Sequence, residues 1–240
     1  MPALERLAGA DWQVTRPELT AGDQLPRLCE LHRPLTDRVA RSVQDGTRPV
    51  SVAGDCCSAI AVLAGLQRAG LRPVVVWLDA HGDFNTHETT ISGFVAGMAL
   101  AMLTGRGDRT LIDAARLTPL ADVDVVLADA RDLDPAERAL LDASQVTRVK
   151  DLDDLLAHTG DRPIYVHFDT DILDPIEAPA VLYPAPGGPS VSKLLQVAHR
   201  LQRTGRIVGV SMTTWSLERD TGGGTGDACM SVLRALVGED

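Results

Sequence analysis

A chain of 240 residues with 45% hydrophobic and 23% charged side chains has the make-up of one folded domain with a sizeable core, not of a disordered segment. Its formal charge of −10, with no basic cluster, excludes a nucleic-acid groove, and no apolar run approaches the ~18 residues that would span a membrane. The start, Met1-Pro2-Ala3-Leu4-Glu5, lacks the basic-then-apolar order of a secretory leader, and the four cysteines make no disulfide framework, so a cytoplasmic location is expected.

Residues 1–25 carry no clear periodicity, whereas 25–43 repeat apolar side chains at helical spacing, with Pro34 starting or kinking the helix. Pro49-Val50-Ser51-Val52-Ala53 predicts a short strand running into Gly54-Asp55-Cys56-Cys57-Ser58 and a helix to about Ala69. Gly70 closes that helix, and Pro73 precedes a strand over 74–79. A polar loop over 84–93 leads to an apolar helix over 95–103. A strand over 123–128 and a helix from Pro135 follow, then strands near 146–149, 164–169 and 207–212 and helices near 190–203 and 227–237. This alternation implies a single α/β domain over 1–240, with a mainly parallel sheet, helices on both faces and any site at the carboxyl ends of the strands.

Two strand ends carry the chemistry. Asp79-Ala80-His81-Gly82-Asp83 closes the apolar run Val74-Val75-Val76-Trp77-Leu78, and side chains two apart on extended chain face the same way. Ile164-Tyr165-Val166-His167-Phe168-Asp169-Thr170-Asp171 repeats the pattern with Asp169 and Asp171. One strand-end Asp is usually a helix cap. Four carboxylates and an imidazole converging from two strands would repel one another without cations, so the pair reads as a binuclear metal site for oxygen- and nitrogen-seeking ions.

Gly54-Asp55-Cys56-Cys57, Asp79-Ala80-His81-Gly82-Asp83-Phe84-Asn85-Thr86 and Phe168-Asp169-Thr170-Asp171-Ile172-Leu173-Asp174-Pro175 resemble, in order, the metal motifs of the ureohydrolases, the superfamily of arginase and agmatinase. The resemblance covers roughly residues 50–220 and implies a three-layer arginase-like fold and two Mn²⁺ ions that hold a hydroxide to attack a guanidino carbon. It assigns one ion to Cys56, Asp79, Asp83 and Asp169, and the other to His81, Asp79, Asp169 and Asp171. Cys56 stands where the family usually has His. It is either a thiolate ligand or a small buried side chain, and ligation is the preferred reading.

Two further departures concern catalysis. Ala96 falls where arginases carry a His that shuttles protons, and Thr214 falls where they carry a Glu that holds the guanidinium. Glu218 would substitute only if its loop bent back. Asn85, Thr90 and Ser92 resemble the loop that binds an amino acid's carboxylate, and Asp134 and Glu137 map onto the segment that meets its amino group. Asp134 before Pro135 also fits a plain helix N-cap, but with the 85–92 loop opposite, amino-acid recognition is preferred. His167 shares the face of Asp169 and would orient a ligand or donate a proton, with a supporting hydrogen bond the preferred reading, while Asp83 or a metal-bound water would carry the proton in place of the missing His.

This combination is similar to the Nω-hydroxy-L-arginine amidinohydrolase subtype of D-cycloserine biosynthesis, which forms hydroxyurea and L-ornithine. Nω-Hydroxy-L-arginine is therefore the expected substrate, ahead of L-arginine or another modified guanidine. The rival expectation is a non-catalytic relative that keeps the fold for binding. The long C-terminal tail that helps arginases trimerise is missing, so a monomer or small homo-oligomer is expected.

Overall fold

The computed structural model describes residues 12–14 and 17–238. The readings of a leaderless start and of an aperiodic stretch over 1–25 fall largely outside those residues. Helix α1 (Gln24–Gln44) has Pro34 inside it and leads to strand β1 (Val50–Val52). Next come helix α2 (Ser58–Arg68), strand β2 (Val74–Asp79) and the short helices α3 (Ala99–Leu103) and α4 (Thr110–Ala115). Strand β3 (Val125–Asp129), helix α5 (Pro135–Asp142), and strands β4 (Thr147–Val149) and β5 (Ile164–Asp169) follow. Helix α6 (Val191–Arg203), strand β6 (Ile207–Thr213) and helix α7 (Gly224–Val237) complete the order.

The six strands form one sheet in the order β1-β6-β5-β2-β3-β4, and each of its pairings is parallel. Alternation along the strands divides the core. Val75, Trp77, Val125, Leu127 and Tyr165 face one way and pack under α1 to α5. Val74, Val76, Leu78, Val126, Val166 and Phe168 face the other and pack under α6 and α7. Both faces are covered, which is why β2 and β5 are buried along their whole length. The result is the expected three-layer α/β arrangement, and no helix among the described residues is long and apolar enough to cross a membrane.

Adjacent β2 and β5 lead the chain to opposite sides of the sheet, β2 towards β3 and β5 towards β6. Their carboxyl ends therefore open onto the crevice where parallel sheets bind ligands. The register sets His167 between Trp77 and Ser211 and sets Asp169 beside Thr213.

Several boundaries differ from the sequence reading. Residues 122–124 form a tight turn before β3 because their polar side chains do not fit a buried strand. The 95–103 segment is a 3-10 turn, Val95–Met98, followed by α3, pinned by the Asp83 carbonyl, which accepts from the Leu100 and Ala101 amides at 2.9 and 3.0 Å. Helix α7 begins at Gly224, ahead of the expected 227, because Asp220 accepts from the Thr225 and Gly226 amides at 3.3 and 2.7 Å. Helix α4 was not anticipated.

Candidate metal centre

Asp79 ends β2 almost fully buried, and both of its oxygens are engaged. Oδ1 accepts from the His81 amide at 2.7 Å, and Oδ2 accepts from the Trp77 indole at 3.0 Å. Asp169 ends β5 in the same condition. Its Oδ1 accepts from the Asp171 amide at 2.9 Å and from the Thr214 hydroxyl, while Oδ2 lies 2.8 Å from the Cys56 thiol. Cys56 reaches this point from the turn that opens α2, where the Asp55 carboxylate accepts from the Cys57 amide at 2.9 Å. Cys57 points away, its thiol 3.6 Å from the Val95 carbonyl.

Two groups of donors result. Cys56, Asp79, His167 and Asp169 each offer a ligand atom, with all four atoms within 4.8 Å of one another, and so do Asp79, His81 and Asp171. Asp79 belongs to both, as a carboxylate bridging two ions must. In the second group His81 Nδ1 lies 3.1 Å from Asp171 and 3.5 Å from Asp79. Asp83 stands beside the first group rather than within it. Its backbone is left-handed (φ 47°), and its buried Oδ2 has no hydrogen-bond partner among the described residues.

The electrostatics fit cations. Burial and the neighbouring Asp169 push Asp79 up to about 6, and burial with Asp79 and Asp169 pushes Asp83 well above the carboxylate range. Burial and then Asp171 do the same to Asp169. Burial opposes charge on His81, but hydrogen bonds and attraction from Asp171 and Asp79 outweigh it and lift His81 to about 12. Burial and the surrounding carboxylates raise the Cys56 thiol. Without counter-charge Asp83, Asp169 and Cys56 are held towards their protonated forms, while divalent ions would let them ionise together. The orphaned Asp83 oxygen and the mixed N, O and S donors fit such ions.

A cavity of about 280 Å³ opens over the two groups, with Asp83, Asn85, Ser92, Asp134, Glu137 and Thr214 in its wall. Asn85 donates to Asp134 at 3.2 Å. Glu137 is mostly occupied by the fold, accepting from the Phe84 amide at 2.8 Å and the Asp134 amide at 3.3 Å in a capping box for α5. Thr90 is not in the wall, and its hydroxyl instead accepts from the Gly93 amide at 3.0 Å to shape the loop. His167 is fully buried and also absent from the wall, so it acts on the donor group rather than on a bound molecule. Ala96 lines the cavity, whereas Glu218 is exposed and does not.

Sequence reasoning missed two features. Phe94 and Tyr183 meet at the mouth with ring centres 5.1 Å apart and planes tilted by 45°, and an exposed Ile91 lines the same opening. Arg131 pairs with Asp129 and donates to the carbonyls of Ile172 and Asp171 at 3.0 and 3.2 Å and of Ala185 at 2.6 Å. It thereby clips the segment after β5 against the end of β3. A lone Arg after a strand gave no local signal for carbonyls forty or more residues away. Asp174 shapes the turn that follows, accepting from the Ile176 and Gly187 amides at 2.9 and 3.1 Å.

A buried thiol, two imidazoles and three carboxylates, one of them common to both donor groups, set at the carboxyl ends of parallel strands, define an α/β protein with a buried cluster of metal-capable side chains. The sequence matches the Arginase family over residues 10–238, and the chain belongs to that family, one of metal-dependent amidinohydrolases acting on guanidino C–N bonds. It is similar to the arginase of Bacillus subtilis, 29% identical over 251 residues that cover 95% of this chain and 83% of that one. A crystal structure of the Bacillus subtilis arginase superposes with a TM-score of 0.86 at 26% identity, covering 100% of this chain and 89% of that one. The N(omega)-hydroxy-L-arginine amidinohydrolase of Streptomyces lavendulae is 28% identical over 218 residues, 89% of this chain and 74% of that one. An arginase of Neurospora crassa is 31% identical over 85% of this chain, which spans 66% of that enzyme's length.

Proposed function

We propose that the chain hydrolyses the guanidino C–N bond of an arginine-like amino acid, with Nω-hydroxy-L-arginine favoured and hydroxyurea and L-ornithine as products. The observation that carries this reading is the pairing of Ala96 and Thr214 in the cavity wall. The Thr214 hydroxyl is already given to Asp169, so neither residue offers a carboxylate to a guanidinium or an acid to a leaving amine. An N-hydroxy group withdraws electrons and makes the guanidine less basic. Such a substrate is less cationic and has less need of an anionic clamp, while its departing nitrogen is still the ornithine amine and still takes up a proton as it leaves.

Cys56, Asp79, Asp83 and Asp169 would hold one Mn²⁺, and His81, Asp79, Asp169 and Asp171 the other. When bound, such a pair lowers the pKa of water towards neutrality and polarises the guanidine. The protein's own groups do the rest. Asn85, Ser92 and Asp134 bind the amino-acid end and aim the guanidino group at the floor of the cavity. Asp83 takes the proton released as water adds to the guanidino carbon and returns it to the departing nitrogen as the C–N bond breaks. A cytoplasmic enzyme is consistent with the four free cysteines.

Ornithine release by the Mn²⁺-loaded protein, offered Nω-hydroxy-L-arginine and L-arginine side by side, tests the reading. Release from the hydroxylated substrate alone is expected. Equal release from both would return the assignment to an ordinary arginase, and release from neither would refute hydrolysis of these amino acids.

A further inference from the structure

We infer that His167 is itself a metal ligand, supplying from β5 the imidazole that Cys56 no longer supplies from the start of α2. The inference rests on the two-cation reading of the site. Its first support is position: His167 lies two residues before Asp169 on the same strand, and its ring reaches the donor group of Cys56, Asp79 and Asp169, all four donor atoms within 4.8 Å of one another. Ligands of one ion with bonds of about 2.0–2.3 Å stand roughly 3.3–4.5 Å apart, so only small shifts are needed to close this set.

The second support is how the ring is held. Cross-strand register sets Trp77, His167 and Ser211 in one row over β2, β5 and β6. The Trp77 indole stacks on the imidazole, with centres 3.6 Å apart and planes 19° apart, while its N–H donates to Asp79. One indole therefore orients two of the four donors. On the other edge, Nδ1 lies 3.0 Å from the Ser211 hydroxyl, which in turn lies 2.5 Å from the Tyr165 hydroxyl. In the tautomer that would ligate through Nε2, Nδ1–H donates to the Ser211 hydroxyl, the arrangement in which a second hydrogen bond fixes a ligating His. Nε2 has only a long contact of 3.4 Å, to Thr213.

The third support is that the tight donor group as it stands includes His167, with Asp83 beside it and not within it. With His167 as a ligand, the first position has one nitrogen and one sulfur beside its carboxylates. That mixture suits Zn²⁺ or Co²⁺ better than Mn²⁺, while His81, Asp79 and Asp171 remain a harder set.

Anomalous diffraction from crystals of the Zn²⁺-loaded protein tests this directly. A zinc peak about 2.0–2.1 Å from His167 Nε2 and about 2.3 Å from Cys56 Sγ is expected. A peak held by Asp83 in place of His167 overturns the inference while sparing the two-cation site. No peak at either group overturns both. In solution, ¹⁵N-histidine NMR should show ring signals of both His81 and His167 moving on Zn²⁺ addition. Movement of His81 alone would refute the role given to His167, and movement of neither would refute the site.

Discussion

Thr214 donates its hydroxyl to Asp169 from a left-handed backbone, at φ 67°, just past the end of β6. A β-branched residue is rarely found there, and the conformation costs on the order of 1–2 kcal/mol. The hydrogen bond to a buried carboxylate returns a comparable amount. Thr214→Gly relieves the backbone and removes the donor, so its thermal midpoint should stay close to that of the parent. Its ion affinity, read by chelator competition, should fall about 10- to 100-fold as Asp169 loses its orientation. An unchanged affinity would mean that Thr214 has no hold on the metal ligands.

Cys56→Ala should leave a folded protein that retains fewer ions per chain by elemental analysis, with the loss confined to the position nearest α2. The thiol is buried 2.8 Å from Asp169, and alanine removes a ligand atom without adding bulk. Cys56→His, which restores the family's usual side chain, should shift the preference of that position back towards Mn²⁺ in an equimolar competition with Zn²⁺. Two tightly held ions in Cys56→Ala would show that the thiol is only packing.

Arg131→Met should destabilise the fold by about 3 kcal/mol in urea unfolding, because Asp129 is left without its partner and four carbonyls, those of Asp171, Ile172, Ala185 and Pro186, lose their donor. Arg131→Lys should rescue little, since one ammonium cannot span the planar fork. Limited proteolysis of both variants should open the segment over 174–188, which Arg131 holds over the site. Gly188 belongs to the same clasp: a Cβ there would lie 2.4 Å from the Ile172 carbonyl and 2.6 Å from the Arg131 guanidinium.

The sheet and the metal motifs were legible in the sequence because their signals are local. A run of apolar residues ending in Asp, unbroken in 74–79 and interrupted by His167 in 164–169, is a buried parallel strand with its site at the tip. Helix α4 was not legible, since six residues give too few turns for periodicity and its start is fixed by the Asp108 carboxylate accepting from Thr110 at 2.7 Å. Non-local causes hid the rest. Gly82 reads as a turn residue, yet what demands it is Glu137, whose Oε1 would sit 2.7 Å from a Cβ. The resemblance of its loop assigns Thr90 to the substrate, while the fold engages its hydroxyl with the Gly93 amide, a contact set by the loop's shape.

A group remote from the site should govern the acid limb of stability. His32 on α1 is buried beside a small cavity that also touches Cys29, Arg33 and Arg68, its Nδ1 has no partner among the described residues, and burial pushes it down to about 4. Its folded pKa thus lies below the unfolded value of about 6.5. Unfolded chains therefore bind the proton more readily, so the stabilising contribution is complete above about pH 6.5 and is lost as pH falls towards 4. From pH 7.5 to 5 the loss at this one residue amounts to about 2 kcal/mol. His32→Leu keeps the volume and cannot titrate, so urea unfolding of the variant should lack that part of the decline. Parallel pH profiles for parent and variant would assign the acid lability elsewhere, with Asp122, whose carboxyl Arg106 holds below its usual range, as the next group to substitute.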